Sequence, residues 1–354
     1  MTVWPKAQMD SLCEITSSKR IFSADYVSEG VPFYRGKEIT EKYKGNLDVS
    51  TELFITEEKF SEIERKFGAP RPGDLLLTSV GTLGSVYVVK SGDRFYFKDG
   101  NLTWFRNLKG LDSRFLFYWL ASPQGRAELQ KCTIGSSQSA FTIVLLKGME
   151  IEVPPLPVQR RIAGILSAYD ELMENSQRRI RILEAMARAL YREWFVHFRF
   201  PGHEKLPRVA SPLGDIPKGW ATKGVPECID VNPRVVVPRD GEKAFVPMGC
   251  LSNDSMLITD IESREGNSGA KFQNGDTLFA RITPCLENGK TGFVQFLPDT
   301  QSVAFGSTEF IVLRSRMLTP EFVYGLARSD EFRGVAIKSM SGATGRQRVQ
   351  EQCF

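Results

Sequence analysis

Apolar residues recur at alternating spacings of four and three along the middle of the chain. The stripe consists of Ile162, Leu166, Tyr169, Met173, Ser176, Ile180, Leu183, Ala187, Leu190 and Trp194, and only Ser176 is polar. This period of 3.5 is the heptad repeat of a coiled coil. Pro157 suits the first turn of a helix, and Pro201-Gly202 ends one. The pattern predicts one α-helix from about Pro157 to Arg199, roughly 42 residues or about 63 Å long.

The strict heptad spacing indicates that this helix packs against a helical partner. The alternative is an ordinary buried helix, but such helices average only about 10–14 residues. No comparable heptad run occurs elsewhere in the sequence. We therefore expect the apolar stripe, except Ser176 and Ala187, to form an interface with a helix that is missing from this sequence or belongs to another molecule.

The sequences on either side of the helix resemble each other. In both, a Gly-Asp turn leads into a short apolar strand, Leu75–Thr78 in one half and Thr277–Ala280 in the other. Further matches follow in the same order: Gly84 with Gly289, Phe115 with Phe322, Ser122 with Ser329, Arg126 with Arg333 and Gly135 with Gly342. From Phe115 onward these pairs share one constant offset of 207 residues. The ordered set predicts an internal duplication.

The duplication and the helix together predict the domain organisation. We expect related globular domains at residues 1–153 and 203–354, joined by one long coiled-coil-type α-helix within residues 154–202. Each copy mixes short strands and turns with one predicted helix, Ser113–Lys131 in the first and Thr319–Lys338 in the second. The predicted fold class is α+β.

Composition and charge exclude several classes of protein. Charged residues make up 25% of the chain and the formal net charge is +4, as in a globular protein with at most a local basic surface. The N-terminus has no secretory signal pattern, and no apolar run is long enough to span a bilayer. The six cysteines form no Cys-x-x-Cys pair and there are only two histidines. We therefore expect no metal site, reduced thiols and a cytoplasmic location.

Motifs for catalysis are largely missing. Gly289-Lys290-Thr291 resembles the end of a phosphate loop, but Pro284 stands where that loop needs a glycine. The paired carboxylates Glu57 and Glu58 are better explained as a solvated surface. We expect a chain that is not an enzyme and holds no cofactor of its own, although an unrecognised catalytic site is a third possibility.

Polar loops at matching places in both copies are the candidate binding sites. Small residues let a backbone approach a phosphate closely. Arg can bind guanine, and Gln can bind adenine, through two hydrogen bonds to the edge of the base. Ordinary surface turns are the alternative. The candidate DNA contacts are Ser79, Thr82, Ser136, Ser137 and Gln138 in the first copy, and Arg281, Thr283, Asn288, Lys290, Thr344, Arg346, Gln347 and Arg348 in the second.

The central segment resembles a known family, the specificity subunits of type I restriction-modification systems. The resemblance lies in Pro154-Pro-Leu-Pro-Val-Gln-Arg-Arg-Ile-Ala-Gly-Ile-Leu166, in Leu183-Glu-Ala-Met-Ala-Arg-Ala-Leu190 and in Trp194-Phe-Val-His-Phe198, which look like the family's central helix. Gly214-Asp-Ile-Pro-Lys-Gly-Trp220 resembles the start of a second target-recognition domain. Gly275-Asp-Thr-Leu-Phe-Ala-Arg281 and Gly342-Ala-Thr-Gly-Arg-Gln347 resemble its loops.

The resemblance implies a bipartite reader of double-stranded DNA. Each target-recognition domain would bind one half of a split target, and the long helix would set their spacing and dock methyltransferase subunits. Those partners would methylate adenine with S-adenosylmethionine, and a restriction and motor subunit would complete the complex. An assembly scaffold that binds the methyltransferase without stable DNA readout is the alternative.

One departure from the family pattern bears on the missing helical partner. The family carries a second long helix after its second domain, and the offset of 207 residues puts the start of that helix near position 361, beyond Phe354. We therefore expect a chain shortened before that helix. Its central helix would then pair with a second copy in a homodimer or be covered by a methyltransferase subunit.

Overall fold

The computed structural model describes residues 4–46, 49–135, 139–342 and 345–354. The chain divides into two compact units, Met1–Asn175 and Ser176–Phe354. The division falls inside one long helix, so that each unit contains part of it.

The first unit combines short strands with short helices. Its strands are β1 (Lys6–Gln8), β2 (Glu14–Thr16), β3 (Val31–Tyr34), β4 (Phe54–Ile55), β5 (Leu75–Thr78), β6 (Val86–Val88), β7 (Tyr96–Phe97), β8 (Leu102–Arg106), β9 (Thr133–Ile134), β10 (Ala140–Phe141) and β11 (Glu150–Glu152). Its helices are α1 (Met9–Leu12), α2 (Gly36–Tyr43), α3 (Glu57–Phe67), α4 (Ser113–Ala121), α5 (Pro123–Lys131) and α6 (Ile143–Gly148).

A four-stranded antiparallel sheet, in the order β2-β8-β5-β6, is the centre of this unit. Successive side chains of a strand face opposite sides of the sheet. Leu75 and Leu77 accordingly join the core cluster beneath α4, whereas Leu76 joins a second cluster with Trp104 and Phe97. Burial of both faces explains why β5 is an uninterrupted apolar run.

The second unit is built from the same kinds of element. Its strands are β12 (Arg208–Ser211), β13 (Gly214–Pro217), β14 (Ile229–Val231), β15 (Lys243–Val246), β16 (Glu262–Arg264), β17 (Ala270–Phe272), β18 (Thr277–Ala280), β19 (Thr291–Phe293), β20 (Ala304–Gly306) and β21 (Phe310–Ser315). Its short helices are α8 (Val225–Cys228), α9 (Pro320–Arg328) and α10 (Asp330–Lys338), numbered here after the long helix α7 (Leu156–Tyr191).

The sheet order of the second unit repeats that of the first. Strands β14-β21-β18-β19 form a four-stranded antiparallel sheet in which β18 occupies the central place that β5 holds in the other unit. A parallel pair stands beside it in each unit, β3 with β7 and β15 with β20. The predicted α+β fold with two related domains and a long helix is confirmed.

The prediction of a single helix in each copy, over Ser113–Lys131 and Thr319–Lys338, was wrong. Each segment forms two helices, because the serine between them adopts an extended backbone conformation and caps the second helix. The Ser122 hydroxyl accepts a hydrogen bond from the amide of Gly125, and that of Ser329 accepts one from Phe332. Serine at this position satisfies an otherwise unpaired amide at a helix start.

Helix α7 begins at Leu156, one residue before the start predicted from Pro157, but the helical conformation ends before Arg199. A wide π-helical turn over Arg192–Val196 continues it, and Phe198 then takes a left-handed conformation with φ of 57°. The amide of Arg199 turns back to the carbonyl of Glu193. The predicted end was therefore wrong by three residues, because Phe198 ends the helical path before Pro201 is reached.

The apolar stripe of the helix is largely uncovered in its middle. Leu166, Tyr169, Met173, Leu183 and Leu190 have exposed side chains, whereas Ile162, Ile180 and Trp194 are half-buried. The buried residues of α7 lie outside the stripe and are Gln159, Ala163 and Glu184. No helix among the described residues is long and apolar enough to cross a bilayer.

Candidate nucleic-acid interface

The two predicted loops of the second unit lie side by side. Ile282 forms an antiparallel bridge with Arg348. The amide of Thr283 donates to the carbonyl of Gln347 across 3.1 Å, and the amide of Gln347 donates to the Thr283 hydroxyl across 3.1 Å. The loop after β18 and the segment before Val349 therefore form one surface.

The first unit brings its corresponding loops together in the same way. Val80, after β5, bridges Ala140, and the amide of Phe141 donates to the carbonyl of Ser79 across 3.0 Å. The equivalent strands β5 and β18 thus each lead into a loop that pairs with a second polar loop. The sequence predicted polar loops at matching places in the two copies, and the structure adds that the two loops of each copy pair with each other.

The arginines of the second unit's site differ in their surroundings. Arg346 is exposed and makes no ion pair with a described residue. Arg348 pairs with Glu309 through Nη2 and Oε1 across 2.5 Å, and Arg281 pairs with Glu351 across 2.7 Å. The Arg348 guanidinium also holds the pKa of the Glu309 carboxyl below its ordinary value. Two of the three arginines are thus electrostatically satisfied in the chain alone.

The other predicted contacts of the second unit are distributed around these arginines. Asn288 is exposed, and Gln347 and Thr283 are half-buried. The Lys290 ammonium donates to the carbonyl of Met248 across 3.0 Å, so that it supports the loop from within. Thr344 lies outside the described residues.

In the first unit, Thr82 is exposed at its loop, and its carbonyl accepts a hydrogen bond from the Thr78 hydroxyl. Ser79 is only 2% exposed, and its hydroxyl lies 2.7 Å from that of Thr103. Its side chain therefore faces the interior, since it follows directly on the buried strand β5, and a surface position for Ser79 was the wrong expectation. Ser136, Ser137 and Gln138 lie outside the described residues.

Two matched arginines that were not proposed as site residues anchor these loops. Arg126 donates to the carbonyl of Gly84 across 2.7 Å, and Arg333 donates to the carbonyls of Leu286 across 2.6 Å and Gly289 across 3.4 Å. Burial lowers the pKa of Arg333 to about 10. Their equal places in the repeat were a signal, but the repeat alone does not reveal a bond to a main-chain oxygen.

The buried polar residues of α7 attach the helix within each unit. The Gln159 amide accepts from the amide of Asp112 across 2.8 Å and donates to the carbonyls of Gly110 and Pro154. In the second unit, Glu184 accepts from the amide of Met256 across 2.5 Å. These hydrogen bonds explain why Gln159 and Glu184 can be buried although both side chains are polar.

Metal chemistry finds no support in the part of the chain that the structure describes. No group of three or more His, Cys, Asp or Glu side chains there is arranged to hold a metal ion. What the site offers instead is hydrogen-bonding chemistry: guanidinium and amide groups that can bind base edges or phosphates.

Comparison with known proteins identifies the family. A family model described as the type I restriction modification DNA specificity domain matches residues 1–185, more than half of the chain. The chain therefore belongs to the family of type I restriction-modification DNA specificity domains.

Curated relatives carry the same description. The chain is similar to the MjaIX type I restriction enzyme specificity subunit of Methanocaldococcus jannaschii, with 30% identity over 163 residues that cover 45% of this chain and 36% of that protein. It is also 30% identical to the EcoEI specificity subunit of Escherichia coli over 147 residues, which cover 40% of this chain and 24% of that protein. The matched segment thus spans well under half the length of these relatives.

A solved structure shares the fold. The type I restriction-modification S subunit from M. genitalium superposes with a TM-score of 0.52 and 15% sequence identity, covering 95% of this chain and 78% of that one. At this identity the likeness concerns the fold, which includes both units and the long helix.

Proposed function

We propose that this protein is a non-catalytic specificity subunit that recognises a bipartite DNA target, one half through each compact unit. The observation that carries the proposal is the repeated pairing of two polar loops, at Val80 with Ala140 and at Ile282 with Arg348. The frameworks match, whereas the loop residues differ. Two units that bind different base sequences need this combination.

In the second unit, Arg346 and Gln347 are the proposed base-contacting residues. Arg346 is exposed at the loop, and the backbone of Gln347 is fixed by Thr283. A guanidinium can donate two hydrogen bonds to guanine, and a glutamine amide can pair with both edge atoms of adenine. In the first unit, Thr82 and the polar run Ser136–Gln138 are the corresponding candidates.

The exposed stripe of α7 is the proposed docking surface for methyltransferase subunits. Tyr169 and Leu183 have 64% and 61% of their surface exposed, which favours burial against a partner. The methyltransferase would supply S-adenosylmethionine and adenine chemistry, and a restriction subunit would join in the full complex. The protein would act on host and foreign DNA in the cytoplasm. A homodimer through the same stripe is the competing arrangement, and sedimentation of the isolated chain as a monomer would exclude it.

A second candidate function is an assembly scaffold that holds the methyltransferase without stable DNA readout. The observation in its favour is that Arg281 and Arg348 are already paired with Glu351 and Glu309. Such pairs reduce the positive potential that DNA would meet.

Footprinting of the complex with its methyltransferase tests both functions. Two protected blocks separated by an unprotected gap would support bipartite recognition. Methyltransferase binding without any footprint would support the scaffold. Mapping of methylated adenines in the host genome adds an independent check, because a bipartite reader leaves a split methylation motif.

A further inference from the structure

An open groove of about 610 Å³ lies in the second unit, beside the recognition loops. Three cationic side chains line it, those of Arg234, Lys271 and Arg281, together with main-chain and small or apolar groups. Among the described residues, no aspartate or glutamate is part of its lining. The groove therefore offers positive charge to whatever enters it.

One wall of the groove is held in place at both ends. At one end, Asn232 takes a left-handed conformation with φ of 51°. Its main-chain amide donates to the carbonyl of Val312, and its side-chain oxygen accepts from the main-chain amide of Val312 across 2.9 Å. Asn267 donates to the carbonyl of Val237 across 3.1 Å. The intervening segment carries Arg234, whose backbone is thus positioned before any ligand arrives. Such preorganisation lowers the entropic cost of binding.

Not all cationic residues of the groove form ion pairs within the chain. Arg234 is exposed and Lys271 is half-buried on β17, and neither forms an ion pair with a described residue. Arg281 differs, because it contacts Glu351 and the carbonyl of Val349. At least two cations therefore face the groove without an opposite charge.

Arg281 also connects the groove to the recognition loops. Its amide donates to the carbonyl of Glu309 across 3.0 Å, and its carbonyl accepts from the amide of Val349 across 2.9 Å. Arg281 therefore lines the groove and also belongs, through its backbone, to the paired loops. Bases presented to those loops carry their phosphates alongside, because each DNA strand has one phosphate about every 3.4 Å.

We infer that this groove binds the phosphate backbone of the DNA half-site that the second unit recognises, through Arg234 and Lys271. The inference rests on the proposed function and adds to it a contact that supplies affinity and register without base choice. It distinguishes these two residues from Arg346 and Gln347, whose proposed contacts select bases.

Duplex binding by the full chain as a function of salt concentration tests the inference. The probe is a labelled duplex of mixed sequence, measured by fluorescence anisotropy with the Arg234→Ala/Lys271→Ala variant. Each lost phosphate contact removes about 0.9 from the slope of log K against log salt, so the slope should fall by nearly two. At about 0.1 M salt the affinity should drop roughly tenfold per contact, for all sequences alike.

Two further variants make the result specific. Arg234→Lys/Lys271→Arg keeps both charges and should retain most of the slope. Lys205→Ala/Lys218→Ala removes the same charge from exposed positions of the second unit outside the groove lining, neither of which forms an ion pair with a described residue, and should leave the slope nearly unchanged. Thermal unfolding is the check that each variant is folded.

The outcomes separate this inference from the proposed function. The slope could stay unchanged in Arg234→Ala/Lys271→Ala while Arg346→Ala still alters base selectivity. This result would overturn the inference that the groove binds phosphate and would leave the proposed function standing. A drop equal to that of the Lys205→Ala/Lys218→Ala control would overturn it too, since only bulk charge would then matter. Absence of duplex binding by the unaltered chain, alone and with its methyltransferase, would overturn both.

Discussion

Arg126 donates a hydrogen bond from its guanidinium to the main-chain oxygen of Gly84 across 2.7 Å, although 42 residues separate them. Arg333 makes the matching bond to Gly289 in the second unit. Both arginines lie in the second helix of a helix pair, one turn after the capping serine. Each therefore connects the helix pair to the loop that follows the central strand.

Replacement of Arg333 by alanine should destabilise the second unit and impair its half-site. The change removes one donor from the carbonyls of Leu286 and Gly289 and from the Thr291 hydroxyl. Each keeps another partner, since Arg328 donates to Gly289 across 2.6 Å, the amide of Gly289 donates to Leu286 and the Thr291 hydroxyl donates to Gly289. Loss of these charged hydrogen bonds and of the packing of a half-buried side chain leads to an expected loss of roughly 1–3 kcal/mol. Thermal unfolding measures the loss, and methylation of target libraries by the reconstituted complex measures selectivity.

Arg126→Ala is the matched control, because it should affect the half-site of the first unit and spare the other. Changes by both variants at one and the same half-site would contradict the assignment of one half-site to each unit. Arg333→Lys should recover only part of the stability, since an ammonium lacks the planar fork that reaches several acceptors.

Replacement of Arg346 or Gln347 by alanine should relax base choice at the second unit's half-site with little loss of stability. Each bidentate contact contributes about 1–3 kcal/mol of discrimination. The measurement is the ratio of methylation rates on targets that differ at single positions. Arg65→Ala, an exposed arginine on α3 of the first unit, is the control and should leave that ratio unchanged. Unaltered ratios in Arg346→Ala and Gln347→Ala would exclude both residues from base contact.

Aspartate at Leu166 and Leu183 should abolish methyltransferase binding while both units remain folded. These side chains are 39% and 61% exposed, so that a charge costs little in the chain alone but much in a dry interface. Co-purification and sedimentation give the result. Asn175→Asp/Ala168→Asp adds the same charges at exposed helix positions outside the stripe and should bind normally. Survival of the complex in the Leu166→Asp/Leu183→Asp variant would show that the stripe is not the interface.

Replacement of Glu309 by glutamine should raise affinity for non-specific DNA, because it frees the Arg348 guanidinium. It should also remove a pH-dependent contribution to stability. The pKa of Glu309 is lowered by Arg348, so the contribution is present above the ordinary carboxyl range, about 4.3, and is lost as pH falls through the lowered pKa.

Denaturant midpoints across a pH series test this second expectation. The wild-type chain and Glu309→Gln should differ at neutral pH, by at most about 1 kcal/mol for a partly exposed pair, and should converge in acid. A difference that persists at low pH would assign the effect to packing rather than to charge. Glu262→Gln, which loses an exposed pair with Arg264, is the control for DNA affinity.

The long helix was predictable because the heptad spacing of its apolar residues holds over many turns. The duplication was predictable because matching residues recur in the same order, from Phe115 onward at one offset. The break at Ser122 was also visible in the sequence, because serine followed by Pro123 is a usual start of a helix, and the single-helix prediction overlooked it. Ser79 directly follows β5 and was predicted to lie in a loop. Its hydroxyl is nevertheless buried against that of Thr103, because the chain stays buried for one residue beyond the end of the strand.

Other parts of the site depend on partners that are distant in sequence. Arg348 pairs with Glu309, and Arg281 with Glu351, because the fold brings together the loop after β18, the turn before β21 and the C-terminal segment. The sequence shows where the arginines are but not which of them are neutralised by an ion pair. The groove beside Arg234 has the same origin, because its lining comes from several separate segments.

The bonds from Arg126 and Arg333 end on main-chain oxygens, and every amino acid supplies one. The anchored glycines themselves are restricted. Gly84 has a φ of 82°, and Gly289 has a φ of 92° and would bring a Cβ to 2.7 Å from the carbonyl oxygen of Asn253. Neighbouring loop residues can be exchanged without loss of the anchor. A lineage of such proteins can therefore acquire new DNA targets through substitutions in the loops, while selection for folding acts on the arginine, the glycine and the strand beneath them.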